Sequence, residues 1–245
     1  MRLCEPLNQA CQIGNEYMKS AKAFFDEFSK QYEDQNRYKY AWYKWTVDNI
    51  IKQIRIERAL IVDLGTGSGE IAARAASKFP KSRVIGIDVS SRMISEARKK
   101  VKGLGLKNVR FFVSSMEDFK AERADIIVSH LAFHHVRNKQ PVITWIYRIL
   151  PRKGKVVIGD WFKPTMKYEE EIKELRMKNP PLARKFDDSW ESFLSEVKGD
   201  YQKEHPKEYA ISQTKLRNMM KKAGFRKQRI IRMPLATFAV VVGEK

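Results

Sequence analysis

The chain has 245 residues, 43% of them hydrophobic, so it is long enough for one large α/β domain with additions. It has no run of 18 apolar residues and no signal-peptide pattern, and the spacing of Cys4 and Cys11 does not suit a metal site. The net charge is +19, with the excess of Lys and Arg spread over 59–245 rather than gathered in a tail. These properties argue against a membrane span and a metal centre, predict a cytoplasmic location, and leave a nucleic-acid partner open.

The first part of the chain, 1–56, predicts a helical cap. Phe24, Phe25 and Phe28 recur at helical spacing. An unusually aromatic stretch follows, and its rings are too many to share one helical face. It comprises Tyr38, Tyr40, Trp42, Tyr43 and Trp45. We expect some of these rings to pack on the main domain and others to line a cleft.

Strand and helix patterns alternate over 59–160, which predicts a parallel sheet covered by helices on both faces. The predicted strands are 59–64, 83–88, 109–113, 124–129 and 155–159. The predicted helices are 68–79, 91–102 and 138–150. The main domain is therefore expected to span 57–245 and to be a doubly wound α/β fold.

Residues 161–210 interrupt this alternation with charged and aromatic side chains and four prolines. They predict a helical insertion near the carboxyl ends of the strands, where ligands bind in such folds. Its helices are predicted at 167–178 and 187–197. A helix at 212–223 and two strands, at 225–232 and 235–242, complete the predicted domain.

A glycine-rich turn follows the first strand and leads into a helix that begins near Glu70. Asp63 lies near the end of the strand, two residues before the first of three alternating glycines, Gly65, Gly67 and Gly69. A strand that turns through glycines into a helix N-terminus is typical of a nucleotide-like cofactor site.

The acid before these glycines helps to distinguish between cofactors. The dinucleotide pattern GxGxxG fails from Gly65, because Glu70 takes the sixth place. The looser GxGxxA fits from Gly67 to Ala72. However, the Asp63 carboxylate would repel a pyrophosphate and is better suited to an ammonium group or a hydroxyl.

A second acid, Asp88, ends the second predicted strand. A carboxylate at this place accepts hydrogen bonds from ribose hydroxyls, so Asp88 fits an adenosine-containing ligand.

Asp63 and Asp88 together resemble the motifs of class I S-adenosylmethionine-dependent methyltransferases, nearest to the small-molecule enzymes of the ubiquinone-biosynthesis type. The resemblance implies a seven-stranded, mostly parallel sheet whose last strand is antiparallel, with S-adenosylmethionine as cofactor. It implies cofactor contacts at Asp63, Gly65, Thr66, Gly67, Gly69, Asp88, Val89, Met93, Ser115, Met116, Glu117, Ser129 and His130. Which of Glu117 and Asp118 meets the adenine amine stays open. A partial likeness of the segment 28–33 adds Tyr32 and Arg37 as residues that close over the cofactor.

Methyl transfer from a sulfonium mainly requires alignment of the acceptor, and a base is needed only when the acceptor carries a proton. His130, directly after the fourth strand, and Asp160, at the end of the fifth, are the candidate catalytic residues. We expect His134 and His135 to begin the next helix and make local hydrogen bonds.

Three functions are compatible with these patterns. The first is methylation of a small-molecule acceptor, suggested by the aromatic cap and the insertion. The second is methylation of tRNA or rRNA, suggested by the net charge of +19. The third is a nicotinamide-dependent oxidoreductase or a nucleotide-binding protein, against which Asp63 argues.

Overall fold

The computed structural model describes residues 22–26, 40–196, 209–234 and 237–245. Seven strands form one sheet in the order β3-β2-β1-β4-β5-β7-β6. The strands are β1 (Leu60–Leu64), β2 (Arg83–Asp88), β3 (Val109–Val113), β4 (Ile126–His130), β5 (Lys155–Trp161), β6 (Lys227–Arg232) and β7 (Phe238–Glu244). Strands β1 to β5 pair in parallel, and β7 is antiparallel to both neighbours, which confirms the predicted doubly wound sheet with an antiparallel last strand.

Helices cover both faces of the sheet, and 22–26 is also helical. The helices are α1 (Ala41–Gln53), α2 (Glu70–Lys78), α3 (Ser91–Gly103), α4 (Lys139–Ile149), α5 (Met166–Lys178), α6 (Pro180–Glu196) and α7 (Gln213–Ala223). Their ends follow local chemistry. The hydroxyl of Ser90 caps the first turn of α3, and Gly224 ends α7 at φ +114°.

The core has two layers because successive strand residues point to opposite faces. Ile61 of β1 and Val157 of β5 pack with α1, α2 and α3, whereas Val62 and Ile158 pack with α4 and α7. Among the described helices, none is long and apolar enough to cross a bilayer.

Helix α1 packs against β4, β5 and β7, so this part of the predicted cap shares the core of the sheet. Ile50 is fully buried, and its Cδ1 lies 2.5 Å from the place where a Cβ on Gly159 would stand. Trp42 stacks on Phe238 of β7 at 5.1 Å between ring centroids. The division of the chain at 56/57 stays a prediction.

Some element ends differ from the sequence prediction. Helix α6 begins at Pro180, not at 187, since proline is tolerated in a first turn whose N–H groups need no helical partner. Strand β4 runs over 126–130 instead of 124–129, which makes His130 its last residue. Strand β5 continues to Trp161, so Asp160 lies within it and pairs with Ala239 of β7.

Candidate active site

A cleft of about 980 Å³, including its open mouth, lies at the carboxyl ends of β1, β2 and β4. Of the residues predicted to contact a cofactor, those that line it are Asp63, Gly65, Thr66, Gly67, Asp88, Val89, Met93, Met116, Glu117 and His130. The sequence reasoning did not select the other lining residues, which are Phe25, Tyr43, Ser68, Glu70, Ile71, Ser114, Leu131, Ala132, His135 and Val136. Tyr43 belongs to the aromatic stretch of which some rings were expected to pack on the main domain and others to line a cleft.

Several other predicted contacts lie beside this lining. Gly69 is the N-cap of α2 and packs against Ala97. The hydroxyl of Ser115 bonds to Asp118, and the hydroxyl of Ser129 donates to the Leu64 carbonyl at 2.9 Å. Tyr32 and Arg37 lie outside the described residues.

Asp63 is buried on β1, one residue before the end of the strand. Its Oδ2 accepts the Thr66 hydroxyl at 2.6 Å. Its Oδ1 is buried and receives no hydrogen bond of normal geometry from any residue in the described ranges. Burial raises the pKa of Asp63 to about 7, and the charge of Asp88 acts in the same direction, whereas the Thr66 hydroxyl and the more weakly placed backbone N–H of Ala72 act against it. A buried carboxylate oxygen of this kind fits an ammonium group supplied by a ligand.

Asp88 fixes the backbone around the cleft. Its Oδ2 accepts the Gly67 N–H at 2.9 Å, and its Oδ1 accepts the Ser90 N–H at 2.9 Å. Burial raises the pKa of Asp88 to about 6, against these two bonds. The Ser90 hydroxyl also donates to Asp26, which attaches the helical segment 22–26 beside the cleft.

Two glycines in the turn after β1 have positive φ but different surroundings. A Cβ on Gly65 would lie 2.4 Å from the Ala132 Cβ and 2.7 Å from the Met116 Cε. Gly67 has φ +52°, and a Cβ there would meet nothing within 4 Å. Gly65 therefore permits close packing, and Gly67 permits close approach of a ligand.

His130 is held where β4 enters the cleft. Its Nε2 lies 2.8 Å from the Thr46 hydroxyl, and its ring meets the Tyr43 ring edge-on at 4.8 Å. The next residue, Leu131, has φ +50°, so the chain turns sharply after His130.

Asp160 does not line the cleft. Its two oxygens hold His134 through the backbone N–H at 2.9 Å and through Nδ1 at 2.7 Å. His134 and His135 lie in a short 3-10 turn, Phe133–His135, before α4 and not in it. Asp160 thus supports the segment that brings His135 to the cleft.

Lys139, at the start of α4, is buried against the same segment. Its Nζ donates to the carbonyls of His134, Val136 and Tyr209. Burial lowers the pKa of Lys139 to about 8, although Asp160 and Glu117 act in the opposite direction.

Residues 57–224 match the family model described as a methyltransferase domain. A demethylmenaquinone methyltransferase of Thermotoga maritima is 29% identical over 162 residues, 63% of this chain and 67% of that protein. A protein of the same name from Lactobacillus johnsonii is 26% identical over 195 residues, 75% of each chain. For a ubiquinone/menaquinone biosynthesis C-methyltransferase of Wigglesworthia glossinidia brevipalpis, 24% identical, the match spans only 48% of that protein.

Solved structures show the same fold. A Thermotoga maritima methyltransferase dependent on S-adenosylmethionine, described as a possible histamine N-methyltransferase, superposes with a TM-score of 0.61 at 19% identity, covering 92% of this chain and 99% of that one. A second such methyltransferase, from Aquifex aeolicus, has a TM-score of 0.59 at 20% identity, with coverages of 88% and 97%.

The chain belongs to the methyltransferase-domain family. It is an S-adenosylmethionine-dependent methyltransferase, which decides against the nicotinamide-dependent alternative. The residues fit this cofactor on structural grounds as well, since Asp63 offers a buried oxygen without a hydrogen bond of normal geometry from the described residues and Gly67 leaves its side of the cleft open.

Proposed function

We propose that this enzyme methylates a small, largely apolar acceptor bound in the cleft at the end of β4. The observation that carries the proposal is the charge of the lining. Within the described part of the chain, no Lys or Arg lines the cleft, whereas Asp63, Glu70, Asp88 and Glu117 do. A polyanionic acceptor would meet carboxyl groups there, although the chain as a whole holds 48 basic residues.

The acceptor side of the cleft is apolar and aromatic. Phe25 meets the His135 ring and Tyr43 meets the His130 ring, and Leu131 and Val136 add apolar lining. Such walls suit a flat organic molecule and exclude water from it. The names of two relatives, demethylmenaquinone methyltransferases, agree with an acceptor of this kind.

The roles of the cofactor-binding residues follow from their chemistry. When bound, S-adenosylmethionine supplies an electrophilic methyl group. The Oδ1 of Asp63 would accept from its ammonium group, and Asp88 would accept from its ribose hydroxyls. Met93 and Val89 offer apolar contacts beside Asp88 in the cleft lining.

His130 is proposed as the catalytic base. A hydroxyl or carbon-acid acceptor must lose a proton during methyl transfer, and His130 lines the cleft where it can take that proton. Asp160, the other candidate, would act by positioning the His134 turn, because Asp160 is buried and its carboxylate is bound to His134.

A second candidate, methylation of RNA, rests on one surface. Residues 213–234 contain Lys and Arg but no Asp or Glu, and most of these basic side chains are exposed. They lie on α7 and on the edge strand β6, separated from β1 by β4, β5 and β7. This surface could hold an RNA only outside the cleft.

One labelling experiment separates the two. The protein and S-adenosylmethionine with a radioactive methyl group are incubated with an extract of the source organism, to which simple phenols and quinols have been added. We expect label in the fraction extracted by organic solvent, and none with the matched variant Asp63→Ala. Label that stays with polymer and is lost on RNase treatment would overturn the proposal in favour of RNA.

A further inference from the structure

Thr46 of α1 contacts His130 of β4 across the core. The Thr46 side chain is fully buried, and its Oγ1 lies 2.8 Å from the Nε2 of His130. The contact joins residues 84 positions apart in sequence, so it forms only when α1 packs on the sheet.

The hydrogen atoms of this contact can be assigned by counting donors. The Thr46 hydroxyl has one hydrogen, and its Oγ1 is also 2.9 Å from the Tyr43 carbonyl and 3.1 Å from the Trp42 carbonyl. These carbonyls can only accept. Threonine within a helix commonly donates to such a carbonyl of the preceding turn.

If the Thr46 hydrogen points to a carbonyl, the Nε2 of His130 must carry a hydrogen and donate it to Oγ1. In the opposite arrangement, the hydroxyl donates to Nε2, and lone pairs of Oγ1 face both carbonyl oxygens in a buried place. Oxygen lone pairs that face one another repel, and water cannot reach this buried place to reduce the repulsion. The first arrangement is therefore the stable one.

We propose that Thr46 is a positioning residue that fixes His130 in the tautomer with hydrogen on Nε2, so that Nδ1 is the nitrogen that takes the acceptor's proton. The inference rests on the proposed role of His130 as base. The Tyr43 ring, inclined by 71° to the imidazole, holds the ring plane in the same orientation.

This arrangement also suits both states of the base. After His130 takes a proton on Nδ1, Nε2 still carries its hydrogen and still donates to Thr46. The buried contact therefore needs no rearrangement during the reaction, whereas a hydroxyl that donates to Nε2 would have to turn when that nitrogen became protonated.

The test uses protein labelled with ¹⁵N at histidine and long-range proton–nitrogen NMR, which distinguishes the two tautomers. The His130 signals are assigned by their loss in His130→Gln. We expect hydrogen on Nε2 and a bare Nδ1 in the wild type and in Thr46→Ser, which keeps the hydroxyl. Hydrogen on Nδ1 of His130 in the wild type would overturn the proposal even if no Thr46 variant folds.

The variant Thr46→Val has nearly the same shape but no hydroxyl. We expect a mixture of tautomers and a methyl-transfer kcat lowered by about tenfold or more, with Thr46→Ser restoring most of it. Affinity for S-adenosylhomocysteine, measured by calorimetry, should stay unchanged and shows that the variant is folded. An unchanged tautomer in Thr46→Val would refute the role of Thr46. If the wild-type tautomer is as stated but His130→Gln keeps the wild-type rate, the proposed base is wrong while the tautomer assignment stands.

Discussion

The carboxylate of Asp88 accepts the backbone N–H of Gly67 at 2.9 Å, so the acid that ends β2 holds the glycine turn that follows β1. Its other oxygen accepts the N–H of Ser90 at the start of α3. Each carboxylate oxygen has further lone pairs, and these remain able to accept a ligand hydroxyl. One side chain thus shapes the cleft and is available to bind in it.

Replacing Asp88 should affect both tasks. In Asp88→Ala we expect S-adenosylhomocysteine to bind more weakly by about 1.5–3 kcal/mol, through loss of charge-assisted hydrogen bonds. In Asp88→Asn the amide nitrogen must face one of the two backbone N–H groups, so this near-isosteric variant should lose stability too. Calorimetry and urea unfolding measure the two effects. Wild-type affinity in Asp88→Ala would place the ribose contact elsewhere.

The raised pKa of Asp63 should make cofactor binding depend on pH. An ammonium group prefers the carboxylate, so affinity for S-adenosylhomocysteine should rise from pH 5 to about 7, where Asp63 titrates, and level off above. Well below that pKa, the affinity should change by about tenfold per pH unit. Titration calorimetry at intervals of half a pH unit measures this affinity. The variant Asp63→Asn should bind S-adenosylhomocysteine weakly, and its affinity should lack the rise that ends near pH 7. A flat profile in the wild type would contradict the contact.

The same group predicts the pH dependence of stability without ligand. The folded pKa of about 7 exceeds the ordinary value of 3.8, so the folded chain binds the extra proton between these values. Its contribution to stability is fully present below pH 3.8 and lost as pH rises through 7. As pH rises from 3.8 to about 7, the wild type should therefore lose unfolding free energy relative to Asp63→Asn, as measured by urea unfolding. A constant difference would show that Asp63 titrates normally.

Gly65 and Gly67 offer a matched pair of substitutions. Both have positive φ, at +70° and +52°, so alanine at either costs about 1–2 kcal/mol in the backbone. Only Gly65→Ala adds a clash, with Ala132 and Met116, worth about 1–3 kcal/mol more. We expect Gly65→Ala to unfold at a clearly lower urea concentration than Gly67→Ala. Gly67→Ala should stay folded and lose affinity for S-adenosylhomocysteine; equal stability of the two variants would contradict the packing argument.

The sequence predicted what depends on local pattern. The alternation of strands with helices and the glycine turn after Asp63 are set by neighbouring residues, and the structure confirms the fold. The contact of Thr46 with His130 could not be predicted, because no local pattern connects two residues 84 positions apart. The position of Asp160 depended on where β5 ends. The strand runs two residues beyond its predicted end at 159, and the Asp160 carboxylate lies against His134, away from the cleft lining. For Leu131, nothing in the residue type indicates a positive φ.

Lys139 should stabilise the segment that carries His135 to the cleft. Its Nζ donates to the carbonyls of His134 and Val136 and also to that of Tyr209. In Lys139→Met the buried carbonyls lose these bonds, and we expect a loss of about 1–3 kcal/mol in unfolding free energy at pH 7. Lys107→Met, at an exposed position, is the control and should stay within about 0.5 kcal/mol of the wild type.

The effect of Lys139 should grow at alkaline pH. Its folded pKa of about 8 lies below the ordinary value of 10.5, so the unfolded chain binds more protons between these values. Stability contributed through this group therefore rises as pH increases from 8 to 10.5. Urea unfolding at pH 7, 8, 9 and 10 should show a widening difference in unfolding free energy between the wild type and Lys139→Met. A difference that stays constant or narrows from pH 7 to 10 would contradict a lowered pKa of Lys139 in the folded chain.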